Sequence, residues 1–431
     1  MALLAQRTTP TGFVDDQWRP VSGHRRVAAA TATAGVAVGL LAGHDGALGW
    51  QVARLAAVAM LTTALLALQS RLGDRGCGRV AVVVGVVVLA IGVGFMPYLA
   101  KDGRSVEAVA GTVAVVAGLV LAVAGTVLAT RGRRGIRRIA VGAGTVMLAA
   151  LVTFVVGPAV AATNVPRPQV GATPASKGLV YDSVTVTTDD GVRLAGWYLA
   201  STNHAAVVLL HGAGSTRSGV LDEAAVLAAH GFGVLMIDAR GHGDSGGRAM
   251  DFGWHGDADI AAATGFLADR PDVDSQRIGV VGMSMGGEEA LGASATNQSI
   301  RAVVAEGATA RSAADEAWLA DEFGVRGLVQ EQLERLQDVV TDALTDASVP
   351  TSMREAAETS GDARYMLITA GNVADEGRAA AYVAAGAPSR VDIWTVPDAG
   401  HTDGLQTQAE EWEARVIAFL TNSLGATSGE L

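Results

Sequence analysis

The chain divides into two parts with different hydrophobic patterns. Before about residue 164, apolar residues form five long stretches, at residues 27–43, 47–69, 80–100, 108–130 and 139–163. Most of these approach the ~20 residues that a helix needs to cross a bilayer. Arg54, the charged residue inside them, lies near one end, where its side chain can reach the interface. The pattern predicts a membrane-embedded bundle of five helices over residues 1–163 and disfavours a buried helical core in water.

After a proline-containing linker at 164–179, short apolar runs alternate with helical patterns. Segments 181–187 and 192–200 alternate apolar and polar residues around a turn, which predicts an antiparallel hairpin. Six runs without alternation are typical of strands buried on both faces: 205–210, 232–237, 277–282, 302–305, 364–369 and 391–396. Helical segments at 218–230, 255–269, 285–295, 376–386 and 405–423 separate most of them. The pattern predicts a doubly wound, mostly parallel α/β sheet over residues 180–425, with a helical insert at about 310–360.

Charge separates the same two parts. Of the 32 Lys and Arg and 43 Asp and Glu residues, 15 basic and 6 acidic ones precede residue 164, so the first part carries a net charge of +9 and the second −20. An acidic domain of this kind argues against nucleic acid and anionic lipid headgroups as its partners. The single cysteine, Cys77, falls in a predicted loop of the membrane part, so the second part has no disulfide.

Loop charges predict an orientation in the membrane. Arginines are concentrated in three segments: before the first span (Arg7, Arg19, Arg25, Arg26), between the second and third (Arg71, Arg75, Arg79), and between the fourth and fifth (Arg131, Arg133, Arg134, Arg137, Arg138). Basic loops face the cytoplasm. The loop at His44-Asp45-Gly46 has no Lys or Arg, and the loop from Lys101 to Glu107 is balanced. A multi-pass protein of the cell membrane is therefore expected, with its N-terminus cytoplasmic and its second domain outside.

A candidate nucleophile lies in the second domain. The pentapeptide Gly282-Met283-Ser284-Met285-Gly286 follows an apolar run and precedes a helical stretch rich in small residues. A serine hydroxyl becomes a nucleophile when a tight strand-to-helix turn exposes it to a base and to backbone N–H donors. Two other motifs, His211-Gly212-Ala213-Gly214 and the segment 238–246, also follow predicted strands, where open α/β sheets place their sites.

Together with the segment Asp190-Gly191-x-x-Leu194-x-Gly196-Trp197, these motifs resemble those of α/β-hydrolases, specifically bacterial serine hydrolases of the prolyl-oligopeptidase and dienelactone-hydrolase branches. The resemblance covers about residues 180–423 and leaves the membrane part outside. It implies a nucleophile, an acid and a histidine in that order along the chain. It also implies that the insert at 310–360 is a lid.

The histidine is expected to be His401, in the loop after the last strand, where it would act as the general base for Ser284. Backbone N–H groups of Ala213 and Met285 would form the oxyanion hole. The acid is open between two neighbours: Asp375 fits the family position better, and Glu376 is the alternative because the loop is about one residue longer than usual.

Other polar residues receive structural interpretations. Glu288 and Glu289 lie in the first turn of the helix after Ser284 and suit its dipole. His242 and Asp244 belong to a motif that shapes a loop in the family. Four apolar residues of the insert either line an acyl or side-chain pocket or pack the lid itself: Trp318, Leu319, Phe323 and Leu328.

The sequence thus predicts a membrane-anchored serine hydrolase that cleaves an ester, thioester or amide of a small-molecule, acyl or peptide substrate, without metal or organic cofactor. An acyltransferase is a close variant. The alternative class is a non-catalytic receptor, scaffold or transporter with a hydrolase-like domain. Intact serine, histidine and acid candidates disfavour the first two of these, and the absence of polar residues typical of a transport path disfavours the third.

Overall fold

The structure, a computed structural model, describes residues 23–44 and 48–425. Arg7, Arg19, Asp45 and Gly46, on which the orientation partly depends, lie outside these ranges. Among the described residues, five helices are long and apolar enough to cross a membrane, the third being continued by a short one. The helices are α1 (Gly23–Ala42), α2 (Leu48–Arg71), α3 (Asp74–Gly94), the short α4 (Met96–Lys101), α5 (Val106–Ala129) and α6 (Ile136–Thr163).

One helix boundary differs from the expectation. The third span was predicted to begin at residue 80, but α3 begins at Asp74, so Cys77 lies inside the helix and is buried, not in a loop. Asp74 is an acidic residue in the first turn of α3, where its charge suits the positive end of the helix dipole. Helix α3 begins before the apolar stretch, so its first turn contains charged residues.

Helices α3 and α5 touch backbone to backbone. Glycines recur every seven residues on both helices: Gly78, Gly85 and Gly92 on α3, and Gly111, Gly118 and Gly125 on α5. A Cβ on Gly85 would stand 2.6 Å from the backbone nitrogen of Ala122, and one on Gly92 would stand 2.6 Å from that of Val115. Small residues permit this close approach, which replaces hydrophobic burial as a source of helix association in lipid.

The arginine-rich segments meet at one end of the bundle. His24 Nε2 lies 2.7 Å from Asp74 Oδ1, and Arg131 Nη1 donates to Asp74 Oδ2 at 2.6 Å. These contacts join the start of α1, the start of α3 and the end of α5. The end of α3 packs instead on the end of α6, since a Cβ on Gly94 would stand 2.6 Å from Val160 Cβ.

The second domain is built on one eight-stranded sheet. Its strands are β1 (Asp182–Thr187), β2 (Arg193–Leu199), β3 (Ala206–Leu210), β4 (Gly233–Ile237), β5 (Ile278–Met283), β6 (Ile300–Glu306), β7 (Arg364–Ala370) and β8 (Val391–Val396). The order is β1-β2-β4-β3-β5-β6-β7-β8, with β2 antiparallel to both of its neighbours and the other seven strands running in one direction. The predicted hairpin and parallel sheet are confirmed, and this is the α/β-hydrolase fold.

Helices cover both faces of the sheet, and each face has its own apolar core. They are α7 (Leu221–Ala229), α8 (Gly256–Ala268), α9 (Met285–Ala293), α10 (Leu319–Phe323), α11 (Val325–Asp342), α12 (Met353–Thr359), α13 (Ala374–Gly386), α14 (Gly404–Thr407) and α15 (Ala409–Leu424). Strands β3 to β5 are buried along their whole length, as expected for central parallel strands. Helices α10 to α12 lie within the predicted lid.

The two parts of the chain touch. Helix α11 packs against α6, and so does the turn Asp251–Gly253. Arg167, in the linker, donates through Nη2 to the carbonyl of Gly247 at 2.8 Å and through Nη1 to that of Ser245. Lys101 reaches the loop after β3, because a Cβ on Gly214 would stand 2.7 Å from its Nζ. The carboxyl edge of the sheet therefore faces the helical bundle.

Candidate functional site

Ser284 occupies a strained turn between β5 and α9. Its φ of 52° and ψ of −120° lie in a region that non-glycine residues rarely adopt. The turn is possible because Gly282 and Gly286 approach each other too closely for side chains: a Cβ on Gly282 would stand 2.6 Å from the nitrogen of Gly287. The N–H of Ser284 donates to the carbonyl of Glu306 at 2.7 Å, which fixes the turn to β6.

His401 and Glu376 form a hydrogen-bonded series with Ser284. His401 Nε2 lies 2.9 Å from Ser284 Oγ, and its Nδ1 lies 2.7 Å from Glu376 Oε1. The second carboxylate oxygen of Glu376 accepts from the N–H of Ala370 at 2.7 Å, and the side chain is fully buried. An ionised carboxylate only accepts hydrogen bonds, so Nδ1 carries the proton and Nε2 can take one from the serine hydroxyl.

The preferred acid of the sequence analysis, Asp375, does not reach the histidine. Its side chain is 68% exposed and accepts from Arg378 Nη1 at 3.0 Å. Both carboxylates lie in the first turn of α13, which begins at Ala374, and neighbouring residues on a helix point about 100° apart. The alternative, Glu376, therefore takes the position beside His401.

The expected oxyanion donors lie beside the serine. Ala213 and Met285 both line the same cavity as Ser284. Met285 is the first residue of α9, so its N–H has no acceptor within the helix. The loop after β3 is held close to Ser284, since a Cβ on Gly212 would stand 3.2 Å from the serine Cβ. Both residues therefore lie beside Ser284, where the oxyanion hole is expected.

Two buried histidines hold this loop in place. His211 Nε2 accepts from the N–H of Ala239 at 3.0 Å, and His242 Nε2 accepts from that of Gly214 at 3.1 Å. Burial lowers the pKa of each imidazole to about 4, so both are neutral and can accept at Nε2. Asp244 accepts from Arg217 Nη2 at 2.6 Å. These contacts agree with a loop-shaping role for His242 and Asp244.

The cavity at Ser284 has a volume of about 330 Å³ and a polar lid wall. Its lid side is lined by Glu316, Glu334, Gln337 and Asp338, and its other side includes Met250, Phe252 and Trp254. None of the four apolar residues considered for a pocket lines it. Trp318 instead lies against Phe323, with ring centroids 6.3 Å apart, and Leu328 is half exposed.

The lid carboxylates share this small volume. Burial, reinforced by the charges of Glu334 and Asp338, raises the pKa of Glu316 to about 7. Burial likewise raises the pKa of Glu334 and of Asp338. Oε2 of Glu316 has no hydrogen-bond partner among the described residues. The acidic composition of the insert was visible in the sequence, but not which of its carboxylates face the serine.

Three more carboxylates near the site are buried. Glu288 Oε1 accepts from the N–H groups of Thr309 and Ala310 at 3.0 and 3.2 Å, so it orders the chain that leaves β6. Glu306 accepts from the N–H of Gly404 and the indole of Trp412, both at 2.8 Å, which holds the loop that carries His401. Burial raises the pKa of both groups and raises that of Glu289 well above its usual range. Sequence reasoning assigned Glu288 and Glu289 only to the helix dipole and did not find Glu306.

No group of three or more His, Cys, Asp or Glu side chains within residues 23–44 and 48–425 is arranged to hold a metal ion.

Part of the chain is similar to known proteins. The model of the family described as serine aminopeptidase S33 matches residues 201–359, which include β3 to β6 and most of the lid. An esterase of Pyrococcus furiosus, Pf2001, is similar to 61% of this chain and 98% of its own, at 26% identity and a TM-score of 0.49.

Curated relatives match a shorter segment. An uncharacterized protein of Mycobacterium tuberculosis is 38% identical over 112 residues, which are 25% of this chain and 39% of the relative. The thiohydrolase aneE of Aspergillus aculeatus is 33% identical over 128 residues, 29% of this chain and 40% of that protein. The chain thus spans about two fifths of the length of these relatives.

Proposed function

We propose that this chain, which carries an α/β-hydrolase domain, is a membrane-anchored serine hydrolase that cleaves an ester, thioester or amide bond through an acyl-Ser284 intermediate. The observation that carries the proposal is the hydrogen-bonded series from Ser284 through His401 to the buried Glu376. A serine in a strained turn that touches a histidine has little structural purpose of its own, and the arrangement matches the requirements of acyl transfer.

In the first half-reaction, Ser284 Oγ attacks the substrate carbonyl carbon while its proton passes to His401 Nε2. The N–H groups of Ala213 and Met285 stabilise the negative charge that develops on the carbonyl oxygen. The bond to the leaving group then breaks, and the proton on Nε2 passes to that group. Glu376 stabilises the positive imidazole between these two transfers, because its carboxylate is buried and fixed by Ala370.

In the second half-reaction, water takes the place of the leaving group. His401 removes a proton from the water as it attacks the acyl carbon, and returns that proton to Ser284 Oγ as the ester bond breaks. The family description and the thiohydrolase relative support amides and thioesters beside simple esters as substrates.

We also propose that the hydrolase domain lies outside the cytoplasm. The arginines between α2 and α3 and between α5 and α6 support this, because the ends of these helices meet at one end of the bundle and basic loops remain in the cytoplasm. The hydrolase domain follows the opposite end of α6. A reporter active only outside the cytoplasm, fused after Leu431, should be active, and a fusion active only in the cytoplasm would reverse the orientation.

The nucleophile is tested on the purified full-length protein with a fluorophosphonate probe and a panel of nitrophenyl ester, thioester and anilide substrates. We expect the wild type to be labelled and Ser284→Ala to lose both labelling and turnover. Ser299→Ala, at an exposed serine, is the matched control and should keep both. Labelling that survives Ser284→Ala would contradict the proposal. Acyl transfer to an added alcohol in preference to water would identify an acyltransferase instead.

A further inference from the structure

The lid helix α11 presents its polar side to the hydrolase domain. Glu331 is buried and accepts from the N–H of Ala320 at 2.8 Å, and Asp338 accepts from that of Ala313 at 2.8 Å. Glu334 and Gln337 line the cavity at Ser284. An amphipathic helix on a water-soluble protein normally does the reverse and buries its apolar side. The residue pattern of α11 therefore does not suit a helix whose outer side faces water.

The outward side of the same helix is apolar. Its large exposed side chains follow helical spacing, with exposed fractions of 79% for Val325, 50% for Leu328, 54% for Val329, 52% for Leu336 and 65% for Val339. Positions three and four residues apart share one side of a helix, so these five residues form an apolar stripe that the exposed Gln332 interrupts between Val329 and Leu336. An exposed apolar surface of this kind marks an interaction site on a protein or a membrane.

The neighbour of α11 indicates which of the two it is. Helix α11 packs against α6, one of the helices apolar enough to cross a membrane. Large apolar side chains of α6 are exposed from Ile136 to Phe154, and the helix is largely buried from Val155 onward. At 1.5 Å per residue the exposed segment is about 28 Å long, close to the ~30 Å of a hydrocarbon core. The segment up to Phe154 therefore has the length and exposure of a lipid-facing helix, whereas the end of α6 packs on the end of α3.

We propose that α11 lies in the interface of the bilayer, with the stripe from Val325 to Val339 among the acyl chains. The occupant of this apolar surface is phospholipid, because the surface continues the lipid-facing surface of α6. Helices with one apolar and one strongly polar side bind bilayers in this orientation, about 5–10 Å into the headgroup and acyl boundary.

The placement also defines a substrate class, and this step rests on the proposed function. Two walls of the cavity, α11 and the turn that contains Phe252, both lie against α6. The cavity at Ser284 therefore adjoins the membrane surface. Its substrate is an amphiphilic ester, thioester or amide that partitions into the bilayer and enters the cavity from the leaflet.

The position of α11 is tested without reference to catalysis. In the full-length protein Cys77→Ser removes the single cysteine, and Leu336→Cys or Val339→Cys accepts a nitroxide label. In phosphatidylcholine vesicles we expect oxygen to relax these labels and a water-soluble nickel chelate to relax them several-fold less than it relaxes a label at Val180→Cys. Val180 is 92% exposed and lies before β1. Equal access of the chelate to all three labels would place α11 in water and overturn the proposal.

A second measurement compares a substrate dispersed in vesicles with a soluble one. Leu336→Gln combined with Val339→Gln should lower kcat/KM about tenfold for a long-chain ester dispersed in vesicles. The same variant should keep its rate on soluble nitrophenyl acetate, and Val180→Gln should keep both rates. An equal loss on both substrates, or no loss on either, would contradict entry from the membrane. A wild type without activity on any substrate would refute the proposed function and leave the label result to decide the position of α11.

Discussion

Replacing the acid that contacts the histidine gives the sharpest test of the site. Glu376→Gln keeps the size of the side chain but removes the negative charge. Its one amide oxygen can accept from His401 or from Ala370 but not from both, because these two donors bind different carboxylate oxygens of Glu376. In the wild type, the centre of charge of the Glu376 carboxylate lies about 4 Å from that of a protonated His401 imidazole. At an effective dielectric constant near 20, the attraction between the two charges is about 4 kcal/mol. That energy corresponds to about a thousandfold in rate. We therefore expect kcat/KM for a soluble nitrophenyl ester to fall about a thousandfold.

The neighbouring residue provides the matched control. Asp375→Asn removes the same charge one position earlier. The Asp375 side chain is 68% exposed, and within the described part of the chain its ion pair is with Arg378. Exposed ion pairs contribute about 0–1 kcal/mol, so its kcat/KM should change by less than about fivefold. Initial rates of both purified full-length variants, with their thermal unfolding midpoints, make the comparison. An equal loss in the two variants, or a larger loss for Asp375→Asn, would refute the reasoning.

Two further predictions concern stability. Gly85→Leu places side-chain atoms against the backbone of Ala122, so the free energy of unfolding should fall by about 1–3 kcal/mol or more, and with it the unfolding midpoint of the full-length protein in detergent. Gly144→Leu, at a glycine of α6 where an added Cβ would meet no atom within 4 Å, should leave the midpoint unchanged, and equal effects would contradict the backbone contact. Burial raises the pKa of Glu289 in the folded protein, so its contribution to stability is complete below the unfolded pKa of about 4.3 and is lost as pH rises towards the folded pKa. Glu289→Gln should therefore raise the midpoint by a few degrees at pH 8 and little at pH 4, and a difference that does not change with pH would contradict the argument.

Much of the fold follows from local patterns. The parallel strands are visible in the sequence because β3 to β5 are apolar throughout. In the hairpin, β1 alternates apolar and polar residues, whereas β2 is apolar and buried over most of its length. Ser284 and His401 are identifiable for a related reason: Ser284 directly follows β5, His401 lies in the loop after β8, and parallel strands bring such ends to one edge.

The acid is different because its identity depends on where a helix starts. Asp375 and Glu376 are adjacent, and a shift of α13 by one residue would exchange the buried and exposed positions. No local pattern sets that start to within a residue, since helix boundaries depend on the surrounding contacts. The orientation of the lid was unpredictable for another reason. Periodicity reveals that α11 has two sides, but whether Leu328 faces protein, water or lipid depends on what lies beside the helix.

The glycine contacts between α3 and α5 restrict how this sequence can change. Inserting one residue into α3 between Gly78 and Gly85 would turn every later residue by about 100° and advance it by about 1.5 Å. Larger side chains would then meet the backbone of α5, and the contacts at Gly85 and Gly92 would fail together with their partners on the other helix. Length variation among natural variants of this chain should therefore be absent from these two helices and confined to the connection between them, near Asp102 to Arg104.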